Sequence, residues 1–323
     1  MHGIRRILAA VRDPGALVLP GVAKATQLAR AFGAELELFH AIDAAAYVGM
    51  LGSNVSGLQQ LEDEERRGYL QRLERIAARA RLHTPVVTVA AEWDYPAYEA
   101  IVRRALVSGA DLLVAECSRG RHFAQALLRL ADWELLRLCP LPVLLVKQTH
   151  PYRRPTIVGA VDPGLAFGKS AMLDEQILRL GAQVARALEG ALHAVHAYEA
   201  PASSARTLAA AVGSATAEPD AASAELGLQA LIRRSDVSLA GCHLLGGEPS
   251  TAVAEVARRL RADIVVAGAV ARAGLERALV GNTAERLLRF LPCDLLVLKP
   301  PEFVCRVPAA QRTAPRISAP SLS

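Results

Sequence analysis

The sequence predicts an α/β protein built as two tandem repeats, each a parallel sheet flanked by helices. Three observations predict it. Short runs of Val, Leu, Ile and Ala alternate with amphipathic helical stretches, which is the pattern of βαβ units whose strands are buried on both faces. The whole succession then occurs a second time in the same order. Finally, Ala110-Asp-Leu-Leu-Val-Ala returns as Ala262-Asp-Ile-Val-Val-Ala, an offset of 152 residues (262 − 110), and no gap is needed from 110 to 147.

The elements follow in order. Ile7-Leu-Ala-Ala-Val11 is a strand, ended by the turn Asp13-Pro14-Gly15, and a helix runs through Leu28 and Phe32. Glu35-Leu-Glu-Leu-Phe39 is the second strand and stops at His40. A small-residue loop, 44–56, leads into a charged helix over about 58–82, and Glu99–Val107 is a helix entering the strand that starts at Asp111. Pro142-Val-Leu-Leu-Val-Lys147 closes the first repeat. The second opens with Thr156–Val161 and Asp162-Pro163-Gly164, then a helix through Ile177 and Val184, then Ala191–Val195 ending at His196. An Ala/Ser tract, 201–224, follows. In the helix at 252–260, Val253, Val256, Ala257 and Leu260 fall at i, i+3, i+4 and i+7, one buried face. Asp294-Leu-Leu-Val-Leu-Lys299 is the last strand.

At 323 residues the chain has room for two domains, placed at 1–150 and 151–304, with a flexible tail at 305–323. Two prolines in the polar stretch 148–155 mark the boundary. Five cysteines without a CxxC spacing argue against a disulfide framework and for a reducing compartment, and the N-terminal apolar run is too short for a signal peptide or a membrane span. The expected location is the cytoplasm. A net charge of +5 invites a nucleic-acid reading, but the arginines are spread over helix faces beside Glu, as in Glu62–Arg67, with no aromatic-interleaved basic stripe.

The repeats differ where chemistry would sit. In the second, Ile264–Gly268 is a buried strand ending in a glycine loop, and Gly281-Asn282-Thr283 opens a helix. Such loops hold phosphates, because small residues let backbone N–H groups approach an anion at a helix N-terminus. In the first, Glu116 stands for Gly268 and Arg129 for Gly281, and Glu116 with Asp132 would repel an anion. A ligand-free reading of 281–285 is a capped helix, with Asn282 as N-cap and Glu285 as its capping-box partner. No catalytic or metal constellation is visible. His193 and His196 are three apart on a strand and face opposite sides, no serine sits in a nucleophile elbow, and Gly168-Lys169-Ser170 has Pro163 where a P-loop needs its first glycine.

With both copies laid out, the chain resembles the universal stress protein family, in particular its tandem-domain E type. The residues carrying this are Gly268-x-x-x-Arg-x-Gly-Leu275, Gly281-Asn-Thr-Ala-Glu-Arg286, Cys293-Asp-Leu-Leu-Val-Leu-Lys-Pro300, Glu92-Trp-Asp-Tyr-Pro96 and Asp132-Trp-Glu-Leu-Leu-Arg-Leu-Cys-Pro140. The resemblance implies a five-stranded parallel sandwich of the HUP, Rossmann-like type in each repeat, with the final strands associating into an internal pseudo-dimer. Nucleotide-binding members carry Gly, two residues, Gly, nine residues, then Gly and Ser or Thr. The matching positions are Gly268, Ala271, Gly281 and Asn282, with Ala267 and Thr283 beside them. Ala271 and Asn282 depart from that pattern. The family's first-strand aspartate matches Asp162, preceded by Val161, and His196 or Val195 would flank the base.

The function implied is a stress-response module that senses an adenine nucleotide, ATP with Mg²⁺, bound in the second domain only. Two alternatives stay open. One is a weak ATPase with Asp162 positioning water; the other is a nucleotide-free scaffold for a protein partner or an apolar ligand under the long loops. Association into a homodimer of tandem chains is equally open.

Overall fold

The ladders that satisfy the backbone of the alternating apolar runs are parallel, with one exception. The computed structural model describes residues 3–42, 55–117, 132–163, 171–198, 221–269 and 282–309. In the first repeat these form β1 (Arg6–Ala10), α1 (Pro20–Phe32), β2 (Glu35–Ile42), α2 (Val55–Ala80), β3 (Val87–Trp93), α3 (Ala97–Val107), β4 (Leu112–Glu116), α4 (132–138) and β5 (Val143–Val146). In the second they form β6 (Thr156–Val161), α5 (Ala171–Ala187), β7 (Ala191–Tyr198), α6 (Ala221–Ser235), β8 (Gly241–Gly246), α7 (Pro249–Arg259), β9 (Ile264–Gly268), α8 (Asn282–Phe290) and β10 (Asp294–Leu298). No described helix is long and apolar enough to cross a membrane.

The chain divides into two compact units, one of Ile4–Cys139 with the stretch starting at Cys305, the other of Pro140–Val304 with the first three residues. In the former, β3, β2, β1 and β4 lie side by side, all parallel. In the latter the order is β5, β10, β9, β6, β7, β8. Its five second-repeat strands are parallel, and β5 pairs antiparallel with β10, Leu144 opposite Leu296. The first repeat's fifth strand is thus counted with the second unit.

Strand cores are Ile, Leu and Val, with Ile7, Leu8, Leu38, Leu113, Val158, Val195, Val265 and Leu295 fully buried. Register is pinned by the aspartate that both repeats carry ahead of their fourth strand. Asp111 Oδ2 accepts the N–H groups of Arg5 and Arg6 at 2.8 and 2.9 Å, and Asp263 Oδ2 accepts that of Thr156 at 2.9 Å. A charge-assisted bond of this kind starts the first strand of each sheet at a fixed residue.

In the first unit a buried guanidinium ties β3 to α3. Arg103 donates through Nε and Nη2 to both oxygens of Asp94, at 2.8 and 2.7 Å, and through Nη1 to Glu99 at 3.1 Å and the Pro308 carbonyl at 3.2 Å. In the second, Asp294 is fully buried at the start of β10. Its Oδ1 accepts the N–H groups of Lys147 and Gln148 at 2.7 and 2.9 Å, and its Oδ2 accepts the Tyr152 hydroxyl at 2.5 Å. Burial, then the Asp294 charge, pushes the Tyr152 phenol well above its ordinary value, so it stays a donor. Lys147 Nζ donates to the carbonyls of Leu288 and Leu291, at the C-terminal end of α8 where a cation is favoured.

These contacts fix the chain just after β5, and their loss can be weighed. Asp294→Ala leaves a hydroxyl and two N–H groups without their acceptor, an expected loss of roughly 3 kcal/mol or more in denaturant titration. Tyr152→Phe removes one bond, about 1–2 kcal/mol. Equal, small losses from both would contradict the assignment.

Candidate functional site

In an open parallel sheet, the strand that has its successor on one side and a later strand on the other creates a crevice at its carboxyl end. In the second unit that strand is β6, between β7 and β9. In the first it is β1, between β2 and β4. Val161 and Asp162 end β6, while Ala267 and Gly268 end β9, so these four flank the β6/β9 crevice. Val195 lies on β7 opposite Ala160. Ala271 and Gly281 lie outside the described residues, as do Arg129 and Gly168-Lys169-Ser170. Asn282 and Thr283 begin α8, with Glu285 in its first turn.

At the end of β6 the backbone and three polar side chains meet. The Asp162 N–H donates to Asp174 Oδ1 at 3.2 Å, and Asp174, in the first turn of α5, is 4% exposed. His196 is buried on β7; its Nδ1 stands 3.2 Å from the Val161 carbonyl and 3.7 Å from Asp162 Oδ1. A carbonyl only accepts, so Nδ1 carries a proton. His40 does the same in the first repeat, donating to the Val11 carbonyl at 2.8 Å. Burial lowers the His40 pKa, outweighing its backbone bond and Asp13, so this ring is neutral at pH 7.

Gly268 has a packing reason of its own. A Cβ there would stand 2.7 Å from Leu173 Cδ2 and 3.3 Å from Ile177 Cδ1, both on α5. The equivalent contact in the first repeat is inverted. Its strand end carries Glu116 and its helix carries the glycine: a Cβ on Gly21 would lie 2.6 Å from Glu116 Cγ. The Glu116 Oε1 accepts the Gly21 N–H at 2.8 Å. That N–H is among the unpaired donors of the α1 N-terminus, where Leu19 supplies no side-chain cap and the first turn has no acid. A carboxylate from β4 therefore does the capping and meets the positive end of the helix dipole.

Asp132 behaves differently from the sequence expectation. It is 1% exposed and its Oδ1 accepts from Arg12 Nη2 at 2.6 Å, while the same nitrogen donates to the Glu116 carbonyl at 2.9 Å. Its charge is met by Arg12, and Glu116 acts by filling an acceptor position at α1 in addition to its charge. Sequence reading missed Asp174, Arg12, Gly21 and Leu173. Only Asp174 carried a signal, as an acid in the first helical turn. Among the described residues, no group of three or more His, Cys, Asp or Glu could hold a metal ion.

This twofold scaffold can be set beside known proteins. The pattern of the Universal stress protein family matches residues 3–147 and again 157–299. The chain belongs to the universal stress protein family. Among curated relatives, Universal stress protein E of Escherichia coli strain K12 is 30% identical over 214 residues, covering 65% of this chain and 67% of that protein. Universal stress protein E of Photorhabdus laumondii is 29% identical over 230 residues, 68% of this chain and 71% of that one. A solved structure of a functionally unknown protein from Pseudomonas aeruginosa PAO1 is similar at 25% identity with a TM-score of 0.67, covering 92% of this chain and 93% of its own. A universal stress protein from Archaeoglobus fulgidus shares the fold at 16% identity and a TM-score of 0.58, over 91% of this chain and 96% of its own.

The inverted contact makes a coupling prediction. Gly21→Ala forces Glu116 off the Gly21 N–H and is expected to cost about 1–3 kcal/mol in thermal or denaturant unfolding. In a Glu116→Gly background the same change is expected to cost nothing, or to stabilise by about 0.5–1 kcal/mol through helix propensity. Identical costs in the two backgrounds would refute the pairing.

Proposed function

We propose that this stress-family protein is a regulatory, ligand-sensing module that takes up one adenine nucleotide per chain, as ATP with Mg²⁺, at the β6/β9 crevice of its second repeat. The observation that carries the reading is the difference between the two strand ends. At β4 the Glu116 carboxylate occupies the α1 N-terminus, whereas β9 ends in Gly268 with no side chain. An anionic ligand meets a carboxylate in the first crevice, whereas in the second the strand end brings no charge and the Cβ side of Gly268 is covered by the apolar Leu173 and Ile177. Each candidate residue has a role suited to its place. Asp162 accepts from ribose hydroxyls, Val161 lines the base with the buried Val195 beneath it, and the chain from Ala267 and Gly268, with the helix start at Asn282 and Thr283, faces the phosphates. Ala271 and Gly281 complete that loop in sequence. Five cysteines without a CxxC spacing suit a cytoplasmic setting.

Calorimetry of the full chain with MgATP tests this. The expected result is one binding event per chain, lost in Asp162→Lys and retained in Glu116→Gln, with both variants checked for native circular dichroism. No heat at millimolar ATP, two events per chain, or binding indifferent to Asp162→Lys would overturn it.

A further inference from the structure

Away from both crevices, the edge strand β8 carries a chain of three polar side chains that the nucleotide reading does not use. Arg259 Nη2, on α7, lies 3.0 Å from His243 Nδ1 on β8, and His243 Nε2 lies 3.2 Å from His193 Nδ1 on β7. Gly241 makes the last contact feasible. It is the direct partner of His193 across the ladder, and a Cβ there would stand 2.9 Å from His193 Nδ1.

The protons in this chain are fixed by elimination. A guanidinium only donates, so His243 Nδ1 accepts and its proton sits on Nε2. That proton points at His193 Nδ1, which therefore accepts as well. Both rings are neutral with Nε2–H in the chain as it stands. A divalent cation between the rings would need that His243 proton removed or moved to Nδ1, where Arg259 already donates, so the arrangement favours a proton relay over a metal pair.

We propose that the Arg259–His243–His193 chain is an acid-sensitive latch that ties edge strand β8 to β7 and α7 when both rings are neutral and releases it when they take up a proton. A proton on either Nδ1 puts donor against donor, and a charged His243 faces the Arg259 cation. The groups around the pair do not offset this. Arg258 and Glu255 on α7 are exposed, and His193 stands beside Val158 of β6. Burial lowers the pKa of both histidines, and for His243 Arg259 and His193 lower it further. Since the folded values lie below 6.5, the latch is intact above that pH and is lost as pH falls from 6.5 through the folded values.

Hydrogen exchange of the full chain, read in peptides over β8 and corrected for intrinsic exchange, tests the latch without any nucleotide. Opening of β8 in the wild type is expected to rise about fivefold or more between pH 7.5 and pH 5.0, tenfold for each unit of depression, while β6 serves as the reference. In His243→Gln, whose amide can accept from Arg259 and donate to His193, the response is expected to shrink below about twofold. A flat wild-type profile, or an undiminished response in His243→Gln, overturns the proposal. A ¹⁵N spectrum of the wild type at pH 7.5 decides independently of any variant: both rings protonated at Nε2 supports the latch, and an Nδ1–H tautomer on either sinks it.

Discussion

Each repeat folds around the place where its fourth strand ends against the helix that follows its first strand. The two backbones come too close there for a side chain on both. In the second repeat the strand yields, with Gly268 beneath Leu173 and Ile177. In the first the helix yields, with Gly21 against Glu116. Packing sets the sum of the volumes and leaves their distribution free. The chemistry, however, follows the distribution. An apolar side chain on the helix covers the strand end and adds no charge there, while a carboxylate on the strand reaches the helix N-terminus and satisfies one of its N–H donors. Two crevices of the same architecture thereby acquire opposite characters.

Other carboxylates, buried at Asp94 and Asp294 and half-buried at Asp111 and Asp263, hold the chain around that contact. Asp111 and Asp263 set the first strand of each sheet, Asp94 anchors Arg103, and Asp294 gathers Lys147, Gln148 and Tyr152. Asp94 and Asp294, the two that are buried, are each met by several hydrogen bonds, which is what makes a buried charge tolerable. Arg12 does the same for Asp132. The acids at the mouth of the first crevice thus already have partners within the chain.

Much of this was legible in the residues. Helical spacing marked the helix at 252–260, short apolar runs marked the strands buried on both faces, and the ungapped match of 110–147 to its later copy exposed the duplication and the Glu116/Gly268 exchange. Strand direction was not legible: Val143–Val146 reads like any other buried strand, yet it pairs antiparallel with β10, because pairing is decided by partners far along the chain. The edge strands β3 and β8 were also missed. Gly241-Cys-His-Leu-Leu-Gly246 is too polar and glycine-bounded to stand out. Gly268 shows a deeper ambiguity. A glycine cleared for a phosphate and a glycine cleared for Leu173 are the same letter, and only coordinates separate the two. Contacts such as Arg12 with Asp132, or His193 with His243, join residues with no periodic relation in sequence.

The account is tested most directly by a crystal structure of the chain grown with a non-hydrolysable ATP analogue. It predicts density for one nucleotide, beside Asp162 and the end of β9, with Glu116 still bonded to the Gly21 N–H. Density at β4 with Glu116 displaced from α1 would contradict it, as would both crevices left unliganded at saturating analogue.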